Sequence, residues 1–166
     1  LNEQLSEPKR RQVTPLLGGS KLIQGCKMKY LPKTNNPLVL RTDFSSPSAW
    51  ARICEEIQEP VDGFLAYVEF VDDKAYQEIG KEELLQFVPK NYEHSIIIVV
   101  DHNTVSQPGF PLQVIDLYDE PGREFRTIPS QVQAIENNLS IANMDFEEFA
   151  EAVDDDDGVF RGFSYS

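Results

Sequence analysis

The sequence predicts an α/β (or α+β) fold, a single-domain sandwich in which helices cover the faces of a mixed, partly parallel sheet. Three observations support this prediction. Hydrophobic residues make up 40% of the 166 residues, which is enough to build a core. Apolar β-type runs alternate with segments of helical period over residues 38–101. A hairpin pattern and two further helical segments follow, an order typical of a sheet with helices on its faces.

A first β-α-β unit opens the domain. LVLRT at 38–42 is a β-type run, and Ser46-Pro47 supplies a helix N-cap followed by proline at the first helical position. Apolar residues recur at helical spacing over 47–59, which predicts an amphipathic helix. FLAYVEFV at 64–71 is mostly apolar, so we expect a strand buried on both faces with Glu69 as the exception.

Two short helical segments precede the clearest buried strand. Asp72 is predicted to cap the first segment, and KEELLQFV at 81–88 is the second. SIIIVVD at 95–101 is dominated by β-branched apolar residues, which is typical of a strand buried on both faces. Since helical segments separate the first three strands, we expect these strands to be parallel and joined by right-handed crossovers.

A hairpin, two helices and a closing segment complete the domain. LQVIDLYD at 112–119 and REFRTI at 123–128 flank a Glu-Pro-Gly turn signal and predict the hairpin. Helical spacing resumes after Pro129, and Asp145 is predicted to cap the last helix. GVFRGF at 158–163 is expected as a closing strand or a segment laid over the core. The whole order is loosely thioredoxin-like, but the redox motif of that fold is absent, so no oxidoreductase chemistry is implied.

The formal net charge of −13 is divided unevenly along the chain. Residues 1–36 hold seven Lys or Arg against two Glu, a net charge of +5, whereas residues 37–166 hold eight basic and 26 acidic residues, a net charge of −18. The chain therefore divides into a basic N-terminal extension, 1–36, and an acidic α/β domain, 37–166. Because an acidic body repels phosphate backbones, we do not expect it to bind nucleic acid.

The chain has the features expected of a cytoplasmic protein. No apolar run approaches the roughly 18 residues needed to span a bilayer, and there is no signal-peptide pattern. Cys26 and Cys54 lie far apart without metal-ligand spacing, so a structural zinc site is not expected. We expect two reduced thiols, with one disulfide between the extension and the body as the alternative.

Six long segments of the domain form a distinctive series. They are, in this order, PLVLRTDFSSPSAWARIC, AYVEFVDDKAY, HSIIIVVD, VIDLYDEPGREFR, IENNLSIANMDFEEFA and DGVFRGF. Together they resemble an uncharacterised domain family that is common in actinobacteria. The resemblance covers roughly residues 37–163 and leaves the basic extension outside the family's domain. It implies the limits of the domain, but it implies no activity, cofactor or catalytic residue.

Acidic residues follow each of the three predicted parallel strands. Asp43, Asp72-Asp73 and Asp101 leave their strands at the carboxyl end, which is the edge where open α/β sheets bind ligands. Since Mg²⁺ prefers oxygen ligands, Asp43, Asp72 and Asp101 form a candidate magnesium site. The alternative is that these acids cap helices or turns.

The hairpin turn is a second candidate site because charged residues crowd it. These residues are Asp116, Asp119, Glu120, Arg123 and Arg126. Acids and arginines across a hairpin often pair at the surface for little energy. The alternative is a recognition tip, since ordered loops on a rigid scaffold carry function.

Two polar stretches lie near the C-terminus. Asn137, Asn138 and Asn143 are expected at helix ends, where Asn satisfies backbone groups, or else in contact with a ligand or partner. The four aspartates at 154–157 do not fit an EF-hand loop, because the spacing places no suitable ligand at its first and twelfth positions. We expect them to form a solvated acidic loop.

The sequence carries no recognised catalytic signature. It has no GxSxG, GxGxxG or phosphate-cradling glycine loop, and its two histidines, His94 and His102, belong to no Cys/His signature. His94 just precedes a buried strand and is expected to be a structural hydrogen-bonding residue. We therefore assign no catalytic residue, no metal ligand and no cofactor, with magnesium as the alternative.

We expect a small acidic interaction module that binds a protein partner or assembles with itself, with the basic extension contributing to binding. The alternative is a magnesium-dependent enzyme or metal-binding domain that uses the carboxylates at the strand ends. The candidate binding residues are Arg41, Asp43, Glu69, Asp72, Asp73, Asp101, Asp116, Asp119, Arg123, Arg126, Asn137, Asn138 and Asn143.

Overall fold

The computed structural model describes residues 30–163 and confirms the predicted α/β class. The predicted features that fall on residues 1–29, including Cys26 and most of the basic extension, lie outside the described residues. The elements are β1 (Leu38–Arg41), α1 (Pro47–Gln58), β2 (Glu69–Val71), α2 (Lys81–Phe87), β3 (Ile96–Val100), α3 (His102–Ser106), β4 (Leu112–Asp116), β5 (Glu124–Thr127), α4 (Val132–Ser140), α5 (Phe146–Glu151) and β6 (Val159–Phe160), with 3₁₀ turns at Lys74–Tyr76 and Pro129–Gln131.

The strands form one mixed sheet in the order β2-β1-β3-β4-β5-β6. β1 pairs in parallel with both β2 and β3, so the predicted parallel arrangement of the first three strands is confirmed. β4 is antiparallel to β3 and to β5, which confirms the hairpin, and β6 is parallel to β5. The thioredoxin-like comparison stays a prediction.

The core lies on both faces of the sheet because side chains alternate along each strand. In β3, Ile96, Ile98 and Val100 face α1, α4 and α5, whereas Ile97 and Val99 face the side that α2 covers. All five residues of β3 are buried, as the sequence predicts for a strand between two layers of helices.

The closing strand β6 is held by an aromatic cluster. The Phe160 ring lies 5.4 Å from that of Phe149 and 5.1 Å from that of Phe163, and Phe125 packs against Phe146 at 5.0 Å. These centroid distances lie in the range of favourable aromatic pairs. Of the two alternatives predicted for residues 158–163, the structure shows the strand, with Phe160 fully buried.

The predicted strand at 64–71 is wrong in its length and its burial. Only Glu69–Val71 pairs with β1, because Glu69 already lies opposite Leu38, where β1 begins. Within residues 30–163 no strand pairs with the segment 64–68, and Phe64, Leu65 and Tyr67 are 62%, 43% and 59% exposed. These apolar side chains therefore lie on the surface of the described part and not inside a sheet.

Two details near the helices also differ from the prediction. Asp73 caps the 3₁₀ turn by accepting the Ala75 N–H, whereas the predicted cap, Asp72, pairs with Arg41. No helix was predicted between β3 and β4, where the structure has the short helix α3. It begins directly after Asp101, whose carboxylate caps it in a capping box with Thr104.

Part of the predicted extension packs on the body. Leu31 is buried in the core beside Leu84, and its N–H donates to the Phe87 carbonyl at 2.9 Å. The Tyr76 hydroxyl donates to the Tyr30 carbonyl at 3.0 Å. Tyr30 and Leu31 of the predicted extension therefore contact the domain, and the boundary between residues 36 and 37 stays a prediction.

The helices of the described part are short. The longest, α1, has 12 residues. Within residues 30–163 no helix combines the length and the apolar character needed to cross a membrane.

Replacing Phe160 with alanine should strongly destabilise the domain. We expect Phe160→Ala to lower the free energy of unfolding by about 3–5 kcal/mol, because a fully buried ring is lost and a cavity remains. Phe64→Ala is the matched control, since that ring is 62% exposed and its removal should change stability by no more than about 0.5 kcal/mol. Urea unfolding followed by circular dichroism measures both, and similar losses in the two variants would contradict this packing.

Candidate functional site

A groove of about 780 Å³ opens at the edge of the sheet where β1 and β3 begin and β4 ends. Its walls come from the loop at 88–95, the turn at 117–119 and the segment 136–146, which runs from α4 to α5. Pro37 and Ile96 form part of its base. The groove therefore lies at the edge where the parallel strands begin. The site predicted from the sequence lies at the other edge, at the carboxyl ends of these strands.

The groove combines acidic and apolar side chains. The carboxylates that line it belong to Glu93, Asp116, Asp119, Glu136 and Asp145. The basic side chains are those of Lys90 and His94, and the larger apolar ones include Leu117, Leu139, Met144 and Phe146. Clefts of this size with a few polar groups among apolar walls are the usual form of ligand-binding sites.

Asp116 builds one wall of the groove. Its carboxylate is only 1% exposed and accepts the backbone N–H groups of Tyr118 at 2.8 Å, Asp119 at 3.3 Å and Glu120 at 2.7 Å. These bonds hold the turn between β4 and β5 and place the exposed Asp119 at the rim of the groove. Asp116 is therefore a structural residue, whereas Asp119 is available to a ligand.

Glu136 is the second buried carboxylate of the groove. It is 4% exposed, and its Oε2 accepts the Tyr67 N–H at 3.0 Å. Burial raises the pKa of Glu136 above its ordinary value, and the Tyr67 N–H, Ser140 and the charge of His94 offset this rise only in part. None of the ion pairs within residues 30–163 includes Glu136.

His94 and Tyr92 form the facing wall. His94 Nε2 lies 3.0 Å from the Thr34 carbonyl oxygen, and because a carbonyl can only accept, Nε2 carries the hydrogen. The Tyr92 ring meets the imidazole edge-on at 5.1 Å, and burial raises the pKa of Tyr92 to about 12. The predicted structural role of His94 is confirmed.

The three acids of the candidate magnesium site each contact other protein groups. Asp72 accepts from Arg41 Nη1 at 3.2 Å, and Asp43 Oδ2 lies 3.0 Å from His102 Nδ1. Asp101 forms two hydrogen bonds with Arg126, at 2.6 and 2.9 Å. Within residues 30–163 there is no group of three or more His, Cys, Asp or Glu side chains placed to hold a metal ion. The magnesium alternative stays a prediction without support from this arrangement.

Arg41 is held in the protein interior at the end of β1. Its guanidinium lies 4.5 Å from the centroid of the Phe44 ring and 5.5 Å from that of Trp50, within cation–π range. Its Nε donates to the Asp43 carbonyl at 3.1 Å. These contacts make Arg41 a residue that joins β1 to α1 and to the loop between them.

The predicted clustering of charged residues at the hairpin turn is confirmed for Arg123. It is wrong for Arg126. Arg123 Nη1 lies 2.9 Å from Glu120 and 3.6 Å from Glu147. Arg126 lies opposite Gln113, at the far end of the hairpin, because the strands pair from Leu112 with Thr127 onwards. There it binds Asp101, and this pair joins β5 to the start of α3.

The remaining candidate binding residues form hydrogen bonds with backbone and side-chain groups of the protein. Glu69 Oε1 accepts the N–H groups of Asn35 at 2.8 Å and Asn36 at 3.2 Å. Asn137 Nδ2 donates to the Leu65 carbonyl at 3.3 Å, which ties α4 to the exposed segment before β2. Asn143 Nδ2 donates to Asn138 Oδ1 at 2.7 Å, so these residues close the end of α4 as the sequence predicted.

The acidic run at 154–157 forms an exposed loop, as expected. Arg161 pairs with Asp154 and Asp157 across it. Val159 N–H donates to Asp157 Oδ1 at 3.1 Å. Asp155 and Asp156 are exposed.

Asp116 and Asp119 are groove residues that were predicted from the sequence, whereas Glu136, Tyr92 and the other groove residues were not. One signal in the sequence could have identified Glu136, which follows Val132 by four residues. This spacing puts the two residues on one face of the predicted helix. A glutamate on a buried helical face calls for a specific partner or ligand.

The fold and the groove define a one-sheet α/β domain with an acidic, partly apolar groove. The chain belongs to the family described as Domain of unknown function (DUF6924), whose model matches residues 36–163. The resemblance seen in the sequence is confirmed for the family, whereas its distribution among actinobacteria stays a prediction. No curated protein sequence matches the chain.

The variant Asp101→Asn tests whether the Asp101 carboxylate forms an ion pair or binds a metal ion. Burial alone would raise the pKa of Asp101, but hydrogen bonds from Arg126 and Thr104 hold it below its ordinary value. The folded state therefore gains stability above the ordinary aspartate pKa of 3.8, and loses it as pH falls through the lowered value. At pH 7 we expect the variant to lose about 1–3 kcal/mol.

Thermal melting of the wild type and the variant, with Mg²⁺ and with a chelator, measures the loss of stability. The loss should be the same under the two conditions. Asp155→Asn is the control, because its exposed side chain lies in the acidic loop. A rise of the wild-type midpoint with Mg²⁺ that disappears in Asp101→Asn would instead favour the magnesium alternative.

Proposed function

We propose that the domain is an interaction module that binds a lysine- and arginine-rich segment of a protein partner in the acidic groove. The observation that carries this proposal is the composition of the groove, in which five carboxylates face Lys90 and His94 among apolar side chains. Lysine and arginine match such a lining, because their stems are apolar and their head groups are charged.

The dimensions of the groove support a segment of chain as the occupant. A volume of about 780 Å³ falls within the roughly 300–1,000 Å³ of typical ligand clefts. It has room for a few side chains. In this arrangement the stems lie along Leu139 and Met144, and the head groups reach Glu93, Asp119 and Asp145.

Exposed apolar side chains add a second contact area for the partner. Tyr118, at the rim of the groove, is 78% exposed, and Ile141, after α4, is 74% exposed. Phe64, Leu65 and Tyr67 are also exposed and are tied to α4 through the Tyr67–Glu136 and Asn137–Leu65 hydrogen bonds. Aromatic residues of this kind are frequent anchors of protein interfaces.

The charge of the domain supports rapid and salt-sensitive association. Residues 37–166 have a net charge of −18, so their field attracts a cationic segment before contact. Salt screens such a field within about 8 Å at physiological ionic strength. The affinity should therefore fall as salt concentration rises.

We propose that the basic extension of the chain competes for the groove. Lys33 and Thr34 line a small cleft together with Pro89, Tyr92 and Glu93, and these last three also line the groove. The extension carries a net charge of +5, so its cationic residues match the groove of the same chain or of a second copy. Binding to a partner and assembly with itself are thus two uses of one surface.

Binding of a cationic peptide should depend on the rim of the groove. We expect a fluorescent octapeptide of alternating arginine and lysine to bind, and the double variant Glu93→Gln/Asp119→Asn to bind it roughly tenfold more weakly, since each lost pair contributes up to about 1 kcal/mol. Fluorescence anisotropy at two salt concentrations measures the affinity.

The matched control is Asp155→Asn/Asp156→Asn, which changes the net charge equally and alters exposed carboxylates outside the groove. It should bind the octapeptide nearly as tightly as the wild type. No binding at low salt, or equal losses in the two double variants, would overturn the proposal.

The basic cluster at 9–11 offers a test of the proposed competition by the extension. We expect full-length Lys9→Gln/Arg10→Gln/Arg11→Gln to bind the octapeptide several-fold more tightly than the wild type, because an internal competitor at high effective concentration is weakened. A triple glutamine variant of Lys21, Lys27 and Lys29 removes the same charge and serves as the control. An unchanged affinity in the first variant would show that this cluster does not occupy the groove.

A further inference from the structure

Glu136 differs from the other carboxylates of the groove. Glu93, Asp119 and Asp145 are exposed, and water solvates them in the absence of a ligand. Asp116 is buried, but three backbone N–H groups occupy its oxygens. Glu136 is buried at 4% exposure, its Oε2 accepts the Tyr67 N–H, and the Ser140 side chain is a second hydrogen-bonding neighbour.

A carboxylate can accept about four hydrogen bonds, so Glu136 retains acceptor capacity beside the groove. Burying a charged carboxylate is costly unless an opposite charge compensates it. None of the ion pairs of the described residues includes Glu136, and the charge of His94 compensates its burial only in part.

We propose that Glu136 is the specificity-determining residue of the groove and binds the charged head group of one lysine or arginine of the bound segment. This inference rests on the proposed function. Leu139 and Ser140 lie three and four residues further along α4, on the same helical face, and also line the groove. The stem of the bound side chain packs on Leu139, while its head group meets Glu136.

A purely structural role does not require the charge of Glu136. The Tyr67 N–H needs one acceptor, and the amide oxygen of a glutamine provides it in the same position. A glutamate there costs stability at neutral pH, since the charged form is disfavoured by burial. A cationic ligand removes that cost, so the carboxylate serves binding.

The first readout is the pKa of Glu136, followed by NMR of the side-chain carboxyl in the full-length protein. In the free protein it should lie above the ordinary value of 4.5, and saturation with the arginine–lysine octapeptide should lower it. An unchanged pKa in the saturated complex would overturn the inference while leaving the proposed function intact. Failure of the octapeptide to bind would overturn the proposed function itself.

The second readout compares binding and stability in Glu136→Gln. We expect at least a tenfold loss of octapeptide affinity and, at pH 7, a melting temperature equal to or above that of the wild type. The raised pKa penalises the folded wild type above that pKa, so the difference in melting temperature should close as pH falls below 4.5. Wild-type affinity in this variant, with the rim variant Glu93→Gln/Asp119→Asn still weakened, would show that the rim alone recognises the cation.

Discussion

The structure depends on the burial of β3, Ile96–Val100, between two layers of helices. Its alternating side chains supply both cores, and its backbone joins the parallel strands on one side to the hairpin on the other. The two ends of this strand define the two polar edges of the domain. Asp101 follows it at one end and binds Arg126, and Ser95 and Ile96 line the groove at the other.

The two edges use carboxylates in different ways. At the carboxyl ends of the parallel strands, Asp72 and Asp101 are paired with arginines, which stabilises the connections between elements. At the opposite edge none of the ion pairs of the described residues includes a groove acid. Asp116 is engaged by three backbone N–H groups, and Asp145 caps α5. The proposed binding of a cation follows from this lack of ion pairs, because charges attract strongly where water is partly excluded.

Glu136 links this electrostatic arrangement to the stability of the fold. Its hydrogen bond to Tyr67 holds the segment before β2 against α4, and the same burial that permits this bond raises the pKa of its carboxyl group. Binding sites typically contain a buried charged side chain that destabilises the free protein and whose charge is compensated by the ligand. Phe64 and Leu65 are exposed beside the segment that Glu136 holds, so the partner surface that we propose combines exposed apolar side chains with a buried carboxylate.

The local pattern of the sequence alone determined the α/β class, the parallel strands, the hairpin around Pro121 and the capped helix after Asp145, because periodicity, caps and turns depend on residues close in the chain. It also identified Asp116 and Asp119 as charged residues of a turn. Tertiary structure decided which sheet edge carries the groove, why Phe64 is exposed, and that Glu136 is buried beside His94. These features depend on contacts between distant residues, such as Tyr67 with Glu136 and Asp101 with Arg126, which no local pattern encodes.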